Sequence, residues 1–362
     1  MQTYISLFEA LKKEPIDAIL VSSSQNIIYI TGYSNFSKVE RDAFLLVSKN
    51  NIYILTSPLY KEAVMKLIPF ATYIEISSTS PLRNAFEKIK SKENIEKLGI
   101  ETNNITVSEY VILKKHFKLS NSSIIEMLRQ YKTKYEIEKI KKACAIGDKA
   151  FLYILKQLRV GVTEKDIAYL LTNYIRKLHA EISFEPIIAF GKNSSDIHHQ
   201  PTNSKLTKNN FVLFDFGVSF KNYCSDMSRT IFFGIPNEKQ KELYNTVLLS
   251  QNHAIKTLKT QITKENHVNG SVVDQAARGV ISKTNFPLFP HGTGHGIGLA
   301  VHENPRLSPK STSTLINGMV FTIEPGIYIE GEEGVRIEDM FVIVNNKILQ
   351  LTKSSHAFLY ND

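Results

Sequence analysis

Two stretches of this chain, FVLFDFGVSFKNYCSDMSRTIFFG at 211–234 and FTIEPGIYIEGEEGVRIEDMFVIV at 321–344, each set a pair of acids into a run of strand-forming apolar residues. Read as a hairpin turning near Phe220-Lys221, the first places Asp215 and Asp226 at equal distances from the turn. They then face each other on one side of an antiparallel pair. The second, centred on Gly331 with Gly331-Glu332-Glu333-Gly334 for its turn, does the same for Glu324 and Glu338. Facing carboxylates repel, and burying one without a partner costs several kcal/mol. Either these acids sit exposed on surface strands, or a bound cation compensates them. Asp215 has apolar neighbours on both sides, which favours the cation; Glu338, followed by Asp339 in a more polar segment, leaves both readings open.

The charge on four carboxylates is cancelled by two divalent cations. Carboxylates can bridge two metal ions roughly 3.5 Å apart and leave room for a shared water. Oxygen ligands with one imidazole suit Mn, Co, Fe or Zn, whereas thiolates would point to zinc or an iron–sulfur cluster. Imidazoles are at hand. HGTGHGIGLAVHE at 291–303 holds His291, His295 and His302, separated by Gly292, Gly294, Gly296 and Gly298. One histidine suffices as a ligand, and the others are then free to act on substrate. Cys144 and Cys224 are too few for a disulfide scaffold, lack C-x-x-C spacing, and read as small apolar fillers.

A chain of 362 residues is too long for one ordinary core, so two domains are expected. In the first, IDAILV and NIIYITGY (ending near Gly32) read as strands. AFLLVSKNNIYILTS reads as a hairpin turning at Lys49-Asn50-Asn51, where asparagine tolerates a left-handed backbone. A helix over 81–92 and a strand at LGIE complete an α/β domain spanning 1–128. The polar, turn-rich stretch LSNSSIIEMLRQYKT marks the boundary. The second domain, 129–362, opens with an amphipathic helix from Lys134 that presents Ile137, Ile140, Cys144, Gly147, Phe151 and Ile154 at helical spacing. Thr163 and Asp166 cap another helix; two more fit 237–260 and 271–283, the latter with Ser271 and Asp274 in the same capping relation. With the hairpins, this makes the second domain α+β.

Composition narrows the function. Hydrophobic residues at 43% and charged residues at 22% are the balance of a soluble globular protein. No apolar run approaches the roughly 18–20 residues that span a bilayer, and the N-terminal MQTYISLFEALKKEPIDAIL lacks a basic region leading into an apolar one. The expected location is cytoplasmic, with no membrane partner. A net charge of +9 raises nucleic acid as a partner, but lysines alternate with glutamates as in EKIKSKENIEK and no basic run exceeds two residues. No nucleic-acid partner is expected.

In order and spacing, DFG, YCSDMSRT, HGTGHGIGLAVHE, TIEPGIYI and GVRIED resemble the pita-bread metallopeptidases, in their Xaa-Pro branch of aminopeptidase P and prolidase proteins. DAILVSSSQNIIYITGYS resembles the creatinase-like N-terminal domain of the same proteins, so the resemblance covers nearly the whole chain. It implies a pita-bread catalytic domain behind an α/β creatinase-like domain, with Asp215, Asp226, His295, Glu324 and Glu338 as ligands of two divalent ions, Mn first, with Co, Zn or Fe as alternatives. His198 (in FGKNSSDIHHQPTN, preferred to His199) and His302 are implied as catalytic histidines, with Glu324 as proton carrier. His291 and Arg336 are implied on the substrate side, although Arg336 could instead balance the acids. The glycines would let the backbone approach the metals where a Cβ would intrude. Phe190, Tyr223 and Tyr328 are candidate walls of a proline pocket.

The implied activity is hydrolysis of the bond between an N-terminal residue and proline by a hydroxide bridging the two metals. Substrates would be peptides with proline at the second position, and the protein would be a homodimer. The alternatives are a prolidase restricted to Xaa-Pro dipeptides and a catalytically silent binding module on the same fold. Methionine aminopeptidase and creatinase share that fold. The creatinase-like first domain disfavours the former, and the filled ligand set disfavours the latter, which needs no metal.

Overall fold

The strand Ala18–Val21, apolar throughout, is buried on both faces, as are Ala43–Ser48 and Ile52–Thr56. The structure, a computed structural model, describes residues 2–37, 40–356 and 358–360. It divides into two units, residues 1–129 and 130–362.

The first unit holds a six-stranded sheet in the order Thr72–Glu75, Ile52–Thr56, Ala43–Ser48, Ala18–Val21, Lys97–Ile100, Lys118–Asn121. Ala18–Val21 runs antiparallel to Ala43–Ser48 and parallel to Lys97–Ile100. Alternate residues feed separate cores: Ile19, Val21, Leu45 and Ile54 on one face, Leu20, Phe44, Leu46 and Leu55 on the other. This is the α/β domain expected.

One element differs. NIIYITGY is not a strand: Ser24–Thr31 is a helix, capped by Ser23, whose side chain accepts from Asn26 N, and ended by Gly32 at φ +73°. Glu101 also holds Ser22 N and Ser23 N at 2.6 and 2.7 Å, fixing the entry to the helix. Two good caps and a long-range anchor outweigh the strand preference of isoleucine. The hairpin between Ala43–Ser48 and Ile52–Thr56 forms as read, with Val47 opposite Ile52. Neither Asn50 nor Asn51 is left-handed, however. Instead Ser48 Oγ accepts from both backbone N–H groups, at 3.4 and 3.0 Å.

In the second unit the helix Lys134–Leu155 buries Ile137, Ile140, Cys144, Phe151 and Ile154. Thr163 and Asp166 form the expected capping box of Glu164–Lys177. Helices Glu238–Glu265 and Gly270–Ile281 follow. The last is capped by Asn269, not Ser271. Asp274, fully buried, accepts instead from Thr293 N and Oγ1 at 3.2 and 2.8 Å, because the loop before the histidine-rich strand has unsatisfied donors there.

A four-stranded sheet orders Leu359–Tyr360, Met227–Phe233, Asn210–Phe216 and Ile187–Phe190; a five-stranded sheet orders Glu303–Leu307, Gly294–Gly296, Val320–Ile323, Asp339–Val344 and Lys347–Gln350. Helices plus largely antiparallel sheets make this unit α+β, as expected. Among the described residues no helix is long and apolar enough to cross a membrane.

Candidate metal centre

The first acid hairpin turns at Lys221-Asn222, both left-handed at φ +48° and +71°, as a two-residue hairpin loop requires. Phe220 then faces Tyr223, and Asp215 faces Ser228 rather than Asp226. The expected pairing was two residues out of register. A strand repeats every two residues, so Asp226 still lies on the same face as Asp215. The second hairpin turns at Gly331 (φ +73°), and its register brings Ile323 opposite Asp339 and Gly326 opposite Arg336. Glu324 and Glu338 occupy the matched gap between these pairs, as the sequence reading had them.

The two hairpins are joined at the acids. Ser228 O accepts from Glu338 N at 3.0 Å, and Ser228 Oγ donates to Glu338 Oε2 at 2.8 Å. Glu338 is 1% exposed, so the surface-strand reading of that acid fails. His295 comes from the neighbouring strand; its N–H donates to Thr322 Oγ1 at 3.1 Å. Its Nδ1 lies 3.1 Å from Gly296 O and its Nε2 faces the acids; burial lowers the ring's pKa, but Glu324 prevails and raises it, which favours a proton on Nε2 that a bound ion would displace. Nε2 is 3.2 Å from Glu324 Oε1 and 3.7 Å from Asp226 Oδ2. Ligand atoms of Asp226, His295 and Glu338 all lie within 4.8 Å of one another. The flanking glycines serve the sheet rather than the metals. A Cβ on Gly294 would overlap the carbonyl oxygen of Thr322, and one on Gly296 that of Asn304.

Electrostatics shows what the cluster lacks. Asp215 Oδ1, Asp226 Oδ1 and Glu338 Oε1 are buried with no hydrogen-bond partner. Burial, then the neighbouring carboxylates, pushes the Asp226 and Glu338 carboxyls well above their ordinary range. For Glu324 burial acts upward as well, but its contact with His295 prevails and holds it down at about 2. Unsatisfied buried carboxylate oxygens beside an imidazole nitrogen are the donor set a hard or borderline divalent cation takes, and they fit such an ion.

Arg336 is 2% exposed, and all three of its nitrogens are engaged: Nη2 with Asp215 Oδ2 at 2.5 Å, Nη1 with Tyr328 Oη at 2.8 Å and Nε with Ser228 Oγ at 2.9 Å. Tyr328 Oη also lies 3.0 Å from His291 Nε2. Burial lowers the His291 pKa, which leaves a neutral ring between Tyr328 and Gly292 O. Burial and then the charge of His295 lower His302 too; the two rings meet edge to face at 4.4 Å.

A cavity of about 500 Å³ joins these groups, lined by all five proposed ligands together with His198, His291, His302 and Arg336. His198 is exposed there, while His199 is buried against Glu164 Oε2 at 2.9 Å. The aromatic walls differ from those expected. Phe190, Tyr223 and Tyr328 do not line the cavity; Phe184, with Ile187, Ile197 and Val301, does. Phe190 is core and Tyr223 Oη donates to Glu136 at 2.9 Å.

The metallopeptidase family M24 matches residues 138–345, and the creatinase/prolidase N-terminal domain matches residues 6–131. The chain belongs to metallopeptidase family M24. It is 36% identical, over 350 residues, to an uncharacterized peptidase of Staphylococcus saprophyticus, covering 95% of this chain and 97% of that one. Its fold matches the Xaa-Pro dipeptidase from Bacillus anthracis with a TM-score of 0.91 at 32% identity, over 99% of each chain. The X-Pro aminopeptidase from Thermotoga maritima matches at 0.84 and 29% identity, over 97% of this chain and 100% of that one. The pita-bread catalytic domain and creatinase-type N-terminal domain expected from the motifs are thus this M24 peptidase's fold.

The sequence reading missed Ser228, Thr322, Phe184 and Arg306, which also lines the cavity. Ser228 and Thr322 sit two residues from ligands on the same strand face, a spacing that could have flagged them.

Proposed function

We propose that this M24 peptidase removes the N-terminal residue from peptides whose second residue is proline, using two divalent ions held by Asp215, Asp226, His295, Glu324 and Glu338. The observation that carries the reading is the convergence of four acids and one imidazole nitrogen, three carboxylate oxygens among them buried and unsatisfied, in a cavity that histidines also line. Bound ions would supply Lewis acidity to the scissile carbonyl and the attacking water, and a ligand for the free amine.

The chain's own residues supply the rest. Glu324, held ionised by His295, accepts the water's proton and passes it to the leaving proline nitrogen. His198 and His302, both exposed on the cavity, donate hydrogen bonds as charge develops on the carbonyl oxygen. Arg336 balances Asp215 and steadies Tyr328 and, through it, His291. Phe184, Ile187, Ile197 and Val301 offer the apolar wall for the proline ring. An Xaa-Pro bond carries no N–H, so recognition has to rest on the amine and the ring. Arg306 is the exposed cation on this cavity and suits the carboxylate of a dipeptide.

The test is release of alanine from Ala-Pro and Ala-Pro-Ala by metal-stripped protein with and without Mn²⁺. Release only with the ion supports the reading; none with Mn²⁺, Co²⁺ or Zn²⁺ removes it.

A further inference from the structure

Beside the metal cavity runs a second depression. Helix Glu164–Lys177 turns Ile167, Leu171 and Ile175 into the core. Its opposite stripe, with Lys165, Ala168, Tyr169, Thr172, Asn173 and Arg176 at helical spacing, faces a groove of about 630 Å³. The other wall comes from Phe184–Ile187 and the loop His198–Pro201. Lys165 N donates to Thr202 O at 3.1 Å, which seats the His198 loop at one end. Arg176 pairs with Glu181 at 3.1 Å at the other. Phe184, Ile187 and His198 line both this groove and the metal cavity, so the two are continuous at those residues.

We propose that this groove receives the residues that follow proline in peptides longer than a dipeptide. The inference rests on the Xaa-Pro reading above and assigns the leaving side of the substrate. From Lys165 to Arg176 the helix advances about 16 Å at about 1.5 Å per residue. An extended peptide covers that span with roughly five residues. The half-buried floor at Ala168, Thr172 and Ile187 is small or apolar and makes no demand on side-chain identity. Of the two cations on the rim, Arg176 is already paired with Glu181, so Lys165 is the one positioned to meet a peptide's terminal carboxylate.

The test compares kcat/KM on Ala-Pro, Ala-Pro-Ala and Ala-Pro-Ala-Ala, with Mn²⁺ present, for the unaltered protein, Ala168→Phe and Lys165→Glu. The unaltered protein should cleave all three. Ala168→Phe, which fills the groove, should lose about tenfold or more on the tetrapeptide, and Lys165→Glu about threefold or more. Both should keep Ala-Pro hydrolysis, which also reports an intact fold. The proposal is overturned if the unaltered protein cleaves Ala-Pro but not the longer peptides. It is equally overturned if the variants lower all three rates alike or leave the tetrapeptide rate untouched. Inertness of the unaltered protein on all three would refute the peptidase reading and this proposal with it.

Discussion

Removing the metal should invert how this protein's stability depends on pH. Burial and mutual repulsion raise the Asp226 and Glu338 carboxyls well above their ordinary range. In the folded, metal-free protein they keep protons that the unfolded chain has released above about pH 4. Folding then takes up protons, and stability falls as pH rises from about 4 through the raised values. Glu324 works the other way: held at about 2, it contributes stability above its ordinary pKa that is lost as pH falls towards 2. His291 and His302, whose pKa values burial lowers, oppose this below about pH 6.5, but the two strongly raised carboxyls outweigh them, so the metal-free protein should melt higher at pH 5 than at pH 8. Ions that need the carboxylates ionised should add most at pH 8. One ion at about a hundred times its Kd contributes about 2.7 kcal/mol. A unit spanning residues 130–362 moves by about 2–4 °C per kcal/mol, or about 5–11 °C per ion and about 11–22 °C for two. Differential scanning fluorimetry of stripped protein at pH 5 and pH 8, with and without Mn²⁺, reads this directly. Glu338→Gln removes one repelling charge, so it should raise the metal-free melting point at pH 8 and shrink the Mn²⁺ increment. A metal-free melting point that climbs from pH 5 to pH 8, or a Mn²⁺ increment unchanged in Glu338→Gln, would refute the reasoning.

Ser228→Ala deletes the hydroxyl that donates to Glu338 Oε2, so Mn²⁺ affinity measured by calorimetry should fall about 10–100-fold. Asp339→Asn unpairs Arg229, which it meets at 2.6 Å in the protein interior, and should cost about 3–5 kcal/mol in urea unfolding. Arg306→Ala should raise KM for Ala-Pro about 10–150-fold, the worth of a charged hydrogen bond, and leave Ala-Pro-amide nearly unchanged; equal losses would remove Arg306 from carboxylate binding. Gly147→Ala should stabilise the helix Lys134–Leu155 by up to about 1 kcal/mol, because the new Cβ would meet Val218 and Phe216 at ordinary distances of 3.8 and 3.9 Å.

The acids were legible in the sequence because strand geometry is forgiving in one respect and strict in another. Placing the first turn at Phe220-Lys221 instead of Lys221-Asn222 shifts the register by two residues and leaves every side chain on its face. An error of one would have separated Asp215 from Asp226. The helix at Ser24–Thr31 was misread because its isoleucines favour a strand locally, while the residue that fixes its start, Glu101, lies far along the chain, just past the strand Lys97–Ile100. The same blindness to distant partners governed Glu338. An adjacent Asp339 looked like a sign of exposure, yet both acids are buried. Asp339 can be buried because Arg229 Nη2, Thr352 Oγ1 and Gln251 Nε2 donate to it from other elements, at 2.6, 2.7 and 3.0 Å, and His356 Nε2 lies 2.7 Å away. That network holds Asp339 at about 2, ionised and compensated. Glu338 has no such set of donors beyond Ser228: one oxygen is satisfied and the other is not. Two neighbouring acids of the same burial thus divide by their partners. The one whose oxygens are all taken supports the strand, and the one left with an open oxygen is free to hold a cation. That division lies in contacts between residues about a hundred positions apart.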